Sequence, residues 1–327
     1  MLTFQDLPDE VLLKILSFLE TKDLIGCGQV SKRVRRISHD ATLWVIVNLE
    51  KKIVQTELLE MILRKGCRIL NLSHSEIIGS FNLNEFKSQI RVLNLSSSDE
   101  ETFAFVLEDF LSSCFSLRHL IMEGVYLTPQ MASSICKNGK TLQILNLKSS
   151  YLDFISSRAI IKGCQGLKEI DLAHVNETNG LQSDDLEFLV ENISPNVEKL
   201  NLSSSQITDE DVETLLLRCN KITALSLEAT WITDDSLTNI CQHLNLTLEE
   251  LSLGPGDIDA FNLEPHQREE RIQYRLANPP DISFDAFLKL KSMPRLKILN
   301  LYHKHGDEEF EDLRQHLPHL MIKGVLN

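Results

Sequence analysis

Between residues 67 and 301 the chain returns repeatedly to LxxLxL, with conservative apolar replacements, and this recurrence limits the fold more than any other property. Clear copies end in Leu70/Leu72, Leu93/Leu95, Leu120/Met122, Leu145/Leu147, Ile170/Leu172, Leu200/Leu202, Leu225/Leu227, Leu251/Leu253 and Leu299/Leu301, and a last one in Leu317, Leu320 and Ile322 closes the chain. From Leu70 to Leu251 the spacings are 23, 27, 25, 25, 30, 25 and 26 residues. That period suits one strand plus one helix, a unit that cannot bury its apolar face alone and so must stack on its neighbours. Strand side chains alternate faces, so the two leucines of each copy point inward and the residues around them outward. The intervening segments read as helices. Thr208 precedes Asp209, Glu210 and Asp211, an N-cap with an acidic first turn, and Val212, Leu215, Leu216 and Cys219 then fall at helical spacing. Thr233, Asp234 and Asp235, followed by Leu237, Ile240, Cys241 and Leu244, repeat the arrangement.

This is the leucine-rich-repeat signature. The expected fold class is α/β: a leucine-rich-repeat horseshoe over residues 67–327, about ten repeats, with parallel strands on the concave face and helices on the convex face. Residues 49–66 read as a linker or first helix. The anchors Leu251 and Leu299 are 48 residues apart, close to two periods. Either a degenerate repeat around Ile272, Tyr274 and Leu276 fills the gap, or residues 254–282 are an inserted loop, which Gly254, Pro255, Gly256, Pro279 and Pro280 favour.

A net charge of −14 argues against a general nucleic-acid binder, which needs a concentrated basic face. No apolar run approaches the roughly 18 to 20 residues of a membrane span, and Asp6, Asp9 and Glu10 stand where a signal peptide would be basic, so a cytoplasmic or nuclear protein is expected. Seven cysteines without a CxxC pair fit reduced thiols, and Cys114, Cys164 and Cys219, each three residues before the first apolar residue of a repeat, read as helix-end packing. Asn71, Asn94, Asn176, Asn201 and Asn245 match the glycosylation triplet as accidents of the repeat. No GxSxG, HExxH, Gly-rich phosphate loop or HxE with CxxC occurs. Neither a catalytic residue, a metal site nor a cofactor is therefore expected.

Residues 1–48 lack the repeat. Pro8 suits a first helical turn; Val11, Leu12, Ile15, Leu16 and Leu19 form an apolar stripe, Leu24, Cys27 and Val30 suggest a second helix, and the stretch through Ile37 a third. So small a unit cannot bury all this surface within itself. Leu7-Pro8, Glu10-Val11-Leu12, Ile15-Leu16, Leu19, Asp23-Leu24, Val30-Ser31-Lys32-Arg33, Arg35, Ile37, Asp40 and Leu43-Trp44 resemble an F-box in order and spacing, with Val34 standing where that family often has a large aromatic. The whole chain thus resembles the F-box and leucine-rich-repeat family, a small all-α module preceding the repeats, and its layout and terminal LPHLMI are similar to the S-phase kinase-associated branch. The resemblance implies a non-catalytic substrate-recognition subunit of an SCF-type ubiquitin ligase. The F-box would dock on a Skp-type adaptor, and through it on cullin and RING subunits, while the repeats hold a protein substrate, with or without an accessory protein. The adaptor contacts it implies are Leu7, Pro8, Val11, Leu12, Ile15, Leu16, Leu24 and Val30. The basic run Lys32, Arg33, Arg35, Arg36 reads as a solvated helix face. A repeat scaffold or inhibitor without a ligase role is the alternative.

On the concave face the residues between and after the inward leucines form a ladder of Asn and Ser. Its departures mark the candidate substrate-binding set: His119, Ile121, Glu123, Lys148, Glu169 and Asp171, with the aromatics Trp231 and Tyr302 near strand ends.

Overall fold

The computed structural model describes residues 7–81, 87–96, 101–175, 181, 183–254, 282–301 and 307–323. They fall into two units divided between Ile121 and Met122.

The first unit opens with α1 (Asp9–Leu16), α2 (Thr21–Cys27) and α3 (Lys32–Ser38), then a 3₁₀ turn over Ala41–Trp44. The carbonyl of Pro8 accepts the first amides of α1, and the Ser31 side chain caps α3 through Val34 N–H. Helix α3 packs on both α1 and α2. Leu12, Leu16, Leu24, Val34, Ile37 and Trp44 are buried, each large aliphatic worth roughly 1.5 to 3 kcal/mol out of water. The family's large aromatic is absent at Val34, but Trp44 is 2% exposed and its indole N–H donates to the Ser38 carbonyl at 2.8 Å.

A parallel ladder follows directly: β1 (Ile46–Asn48), β3 (Ile69–Asn71), β5 (Val92–Asn94) and β6 (His119–Ile121), interleaved with β2 (Ile53–Gln55), α4 (Thr56–Arg64), β4 (Glu76–Ile78) and α5 (Glu101–Ser112). Strands β2 and β4 make their own parallel pair. The ladder corrects the boundaries expected at residues 48 and 67. Val47 and Leu49 are buried like the leucines of later repeats, and Val47 pairs with Leu70, so the first repeat begins inside the segment assigned to the N-terminal module. Lys65, just past α4, donates to the His39 carbonyl at 2.7 Å and lies 5.6 Å from the centre of the Trp44 ring, tying that repeat to the helical module.

The second unit repeats one theme. Its sheet comprises β8 (Ile144–Asn146), β10 (Glu169–Asp171), β11 (Lys199–Asn201), β12 (Ala224–Ser226), β13 (Glu250–Leu253), β14 (Ile298–Leu301) and β15 (Met321–Lys323), all parallel and in the register of the inward leucines. Between them lie α6 (Pro129–Cys136), α7 (Phe154–Gly163), α8 (Ser183–Asn192), α9 (Asp209–Arg218), α10 (Asp234–His243), α11 (Phe284–Leu288) and α12 (Asp307–His316), while β7 (Tyr126–Leu127) pairs with β9 (Tyr151–Leu152). Thr208 makes a full capping box with Asp211 at the start of α9, as the sequence indicated. Strand β13 pairs directly with β14, which leaves no rung between them; residues 255–281, where the inserted loop or degenerate repeat was expected, lie outside the described residues.

Two devices recur after the strands. The side-chain oxygen of Asn71, Asn94, Asn146 or Asn201 accepts the backbone N–H two residues on, at 2.8 to 3.1 Å. The chain then passes through a left-handed residue, Lys51, His74, Gly124, Ser149, His174, Ser204 or Ala229, whose N–H donates to a carbonyl of the next repeat.

Candidate protein-binding surfaces

In the helical module, helical spacing divides the apolar residues between two faces. Leu12, Leu16 and Leu24 are 1 to 3% exposed and form the module's core. This corrects their assignment as adaptor contacts: the same stripe that presents Val11 and Ile15 turns Leu12 and Leu16 inward against α3. Of the others, Pro8 is exposed and Leu7 half-buried, while Val11, Ile15 and Val30 are exposed at 41, 39 and 77%. Phe18 at 76%, Leu19 at 36% and Ile25 at 37% belong to the same exposed set. Phe18 and Ile25 were absent from the residues carried over by resemblance, and only their failure to find a core position reveals them.

The basic run is not simply a solvated face. The Arg33 guanidinium bonds Asp9 at 2.7 and 2.9 Å and the Leu7 carbonyl at 2.6 Å, Arg36 also pairs with Asp9, and Arg35 donates to the Gly28 carbonyl at 2.8 Å. Arg33, with Arg36, holds the Asp9 carboxyl below the usual carboxylate range. Arg33 and Arg36 clamp the start of α1 to α3 and Arg35 ties α3 to the end of α2, while Lys32, Arg35 and Arg36 stay exposed.

On the strand faces each unit carries part of the expected set. In the first unit His119 and Ile121 flank the buried Leu120 and are both half-buried. The column just before the inward residue adds Ile46, 65% exposed, Ile69, 38% exposed, and Val92, neighbours by register. This apolar strip occupies the repeat position just before the first inward residue, a column separate from the Asn and Ser ladder.

In the second unit Glu123 and Lys148 form an ion pair at 3.7 Å, and Glu169 pairs with Lys199 at 3.2 Å. Asp171 stands where most other repeats have asparagine and does the same work, accepting the Ala173 N–H at 3.0 Å. Burial raises its pKa, against the bonds from Ala173 and Asn201 and the attraction of Lys148. It therefore reads as a structural member of the ladder as much as a departure from it. Ser73, Ser96, Ala173 and Ser203, in the column expected to face the concave side, are buried, and Ser73, Ala173 and Ser203 each lead into a left-handed residue that turns the chain.

Trp231 is 51% exposed, but it follows the left-handed residue Ala229 and its N–H meets the Ile207 carbonyl at 3.2 Å. It shares its repeat position with Tyr126 and Tyr151, which stack at 4.8 Å and 7°, and not with the charged cluster. Tyr302 lies outside the described residues. Among the described residues no group of three or more metal-ligating side chains occurs, and no helix is long and apolar enough to cross a membrane.

Comparison with known proteins matches this anatomy. Residues 57–255 match the family model of the SKP2 LRR domain, and residues 4–50 match the F-box-like model. A solved structure, the leucine-rich repeat-containing protein LegL7 from Legionella pneumophila, is similar at 14% identity and a TM-score of 0.45, over 85% of this chain and 89% of that one. The first model alone spans more than half of the sequence, and the second covers the helical module with the start of the first repeat: the chain belongs to the F-box and leucine-rich-repeat family, with a repeat domain of the SKP2 type.

Proposed function

We propose that this F-box protein is the substrate-recognition subunit of an SCF-type ubiquitin ligase, working in the cytoplasm or nucleus. The observation that carries the reading is the division of the helical module. It closes its own core around Leu12, Leu16, Leu24 and Trp44, yet leaves Val11, Ile15, Phe18, Leu19, Ile25 and Val30 exposed. Clustered large apolar side chains on a folded surface mark a protein contact, and an adaptor of the Skp type is the partner that the F-box implies. Cullin and RING subunits would follow through that adaptor. The receptor itself performs no chemistry; it raises the local concentration of a substrate beside the ubiquitin-carrying enzyme. For the substrate, the Glu123, Lys148 and Asp171 cluster in the second unit and the Ile46, Ile69 and Val92 strip in the first are the contact surfaces.

The test is co-purification of the full chain with a recombinant Skp-type adaptor, alongside Phe18→Asp and Val30→Asp, two fully surface changes. The intact chain is expected to form a stable complex, and each variant, still folded by circular dichroism, to bind about tenfold or more weakly. An intact chain that ignores the adaptor would leave the repeat scaffold as the function.

A further inference from the structure

A column of arginines runs along the entry to the first unit's strands. Arg68, Arg91 and Arg118 stand one residue before β3, β5 and β6. The backbone keeps them on consecutive rungs: Arg91 N–H donates to the Arg68 carbonyl and Arg118 N–H to the Arg91 carbonyl, both at 2.8 Å. Neighbouring strands lie about 4.8 Å apart, so the column spans about 10 Å. All three side chains are exposed, and among the described residues none of them has a hydrogen bond, ion pair or ring contact. Every other described arginine is engaged. Beyond those of the helical module, Arg158 lies 3.8 Å from the centre of the Phe154 ring, Arg218 donates to the Ile193 carbonyl at 2.6 Å, and Arg295 and Arg314 pair with Glu249 and Glu311 at 3.1 and 3.2 Å; Arg64 also has a partner.

In the second unit the same repeat position neutralises itself. Lys168, before β10, bonds Glu198, before β11, at 2.8 Å, and Lys297, before β14, bonds Glu249, before β13, at 2.6 Å. In the first unit the remaining member of the column is Val45, before β1, so the position holds three positive charges and no acid. Like charges on facing rungs repel, and nothing in the chain offsets that repulsion here. A protein of net charge −14 therefore keeps a local positive strip. Ile46, Ile69 and Val92, the exposed and half-buried apolar residues already described, follow directly in the next column.

We propose that this strip binds an acidic segment of a protein substrate, with aspartates and glutamates on Arg68, Arg91 and Arg118 and intervening apolar side chains on Ile46, Ile69 and Val92. The planar guanidinium fork matches a carboxylate in two parallel hydrogen bonds. One single positive charge per rung suits a series of singly charged carboxylates. A lone phosphate would concentrate its charge at one point and leave the far end of the column unanswered. The inference rests on reading this strand face as a substrate surface. Its test needs no adaptor, so its failure leaves the docking of the helical module untouched, and the loss of that docking leaves the strip intact.

The purified full chain is titrated by fluorescence anisotropy into a labelled peptide of glutamates interspersed with leucines. The same peptide with glutamine for glutamate, a neutral peptide carrying one phosphoserine, and a single-stranded oligonucleotide serve as comparisons. The glutamate peptide is expected to bind, and its glutamine counterpart to bind about tenfold or more weakly. Binding should weaken as salt rises from about 0.15 to about 1 M, where the screening length falls from about 8 to about 3 Å. Arg91→Glu should weaken binding about tenfold or more, whereas Lys162→Glu, the same change of charge at an exposed lysine of α7, should leave it unaltered. No binding of the glutamate peptide would overturn the proposal. So would equal losses in the two variants, or tighter binding of the phosphoserine peptide or the oligonucleotide. Should Arg91→Glu fail to fold by circular dichroism, Arg68→Ala combined with Arg118→Ala removes two of the three charges and decides in its place.

Discussion

Asp234, in the first turn of α10, accepts both the backbone N–H and the hydroxyl of Ser283, each at 2.6 Å, across 49 residues of sequence. Ser283 is the N-cap of α11, so an acidic residue of one repeat secures the cap of the next helix. Asp209 does the same one repeat earlier, accepting Thr233 N–H and hydroxyl at 2.9 and 2.8 Å, Ser236 N–H at 3.1 Å and the Ser236 hydroxyl. The acidic first turns thus act between repeats as well as on their own helix dipole.

Asp209→Ala is expected to cost about 2 kcal/mol and Asp234→Ala about 1 kcal/mol, the second less because its site is more exposed to water. Burial works to raise the Asp209 carboxyl, but the bonds from Ser236 and Thr233 hold it below its ordinary 3.8; those from Ser283 lower Asp234 likewise. A depressed carboxylate contributes its stability above 3.8 and loses it as pH falls through the lower folded value. Chemical denaturation at neutral pH should separate each variant from the parent, and the gap should shrink on acidification below 3.8.

Ser150 is fully buried, donates to the Met122 carbonyl at 2.6 Å and accepts the Val125 N–H at 3.3 Å. Alanine there strands both backbone groups away from water, so Ser150→Ala should destabilise by about 1 to 3 kcal/mol. Ser75 plays the equivalent part in the first unit, bonding the Leu49 carbonyl at 2.6 Å and Lys52 N–H at 3.2 Å. Urea unfolding of Ser75→Ala and Ser150→Ala should show similar losses; a neutral result at either would mean the groups regain water.

Asp171→Asn should stabilise the chain by about 1 kcal/mol at neutral pH, because asparagine keeps the bond to Ala173 N–H without a charge that burial disfavours. The raised carboxyl is penalised while ionised, so the gain should fade as pH falls and Asp171 takes up its proton. Thermal melts across the acid range test this. A substrate that no longer binds the stabilised variant would show that the charge itself is read.

Within the helical module Arg33→Ala should lower the melting temperature more than Arg36→Ala. Arg33 bonds both Asp9 and the Leu7 carbonyl from a side chain 37% exposed, whereas Arg36 is 72% exposed. Trp44 fluorescence in a Trp231→Phe background reports the module directly, since Trp44 is buried and Trp231 is not. Equal losses would mean that Asp9 matters only as a charge.

Periodicity made the repeats legible, because each inward leucine and each N-cap is set by neighbours a few residues away: the register of Leu70, Leu93 and Leu120, the box at Thr208 and the helical order of the first module could all be read from the chain. The candidate surfaces were legible only in part. Helical spacing alone cannot say whether Val11 or Leu12 turns inward, which depended on where α3 packs. The repeat begins at Val47 and not near residue 67, since a valine can fill a leucine's place once a strand pairs beside it. Asp171 departs from the ladder in charge alone, since its bond to Ala173 N–H does an asparagine's work, and that bond is a matter of backbone geometry no residue type announces. The reach of Asp234 to Ser283 and of Asp209 to Ser236 belong wholly to the tertiary structure, because both join residues that only the stacking of one repeat on the next brings within bonding distance.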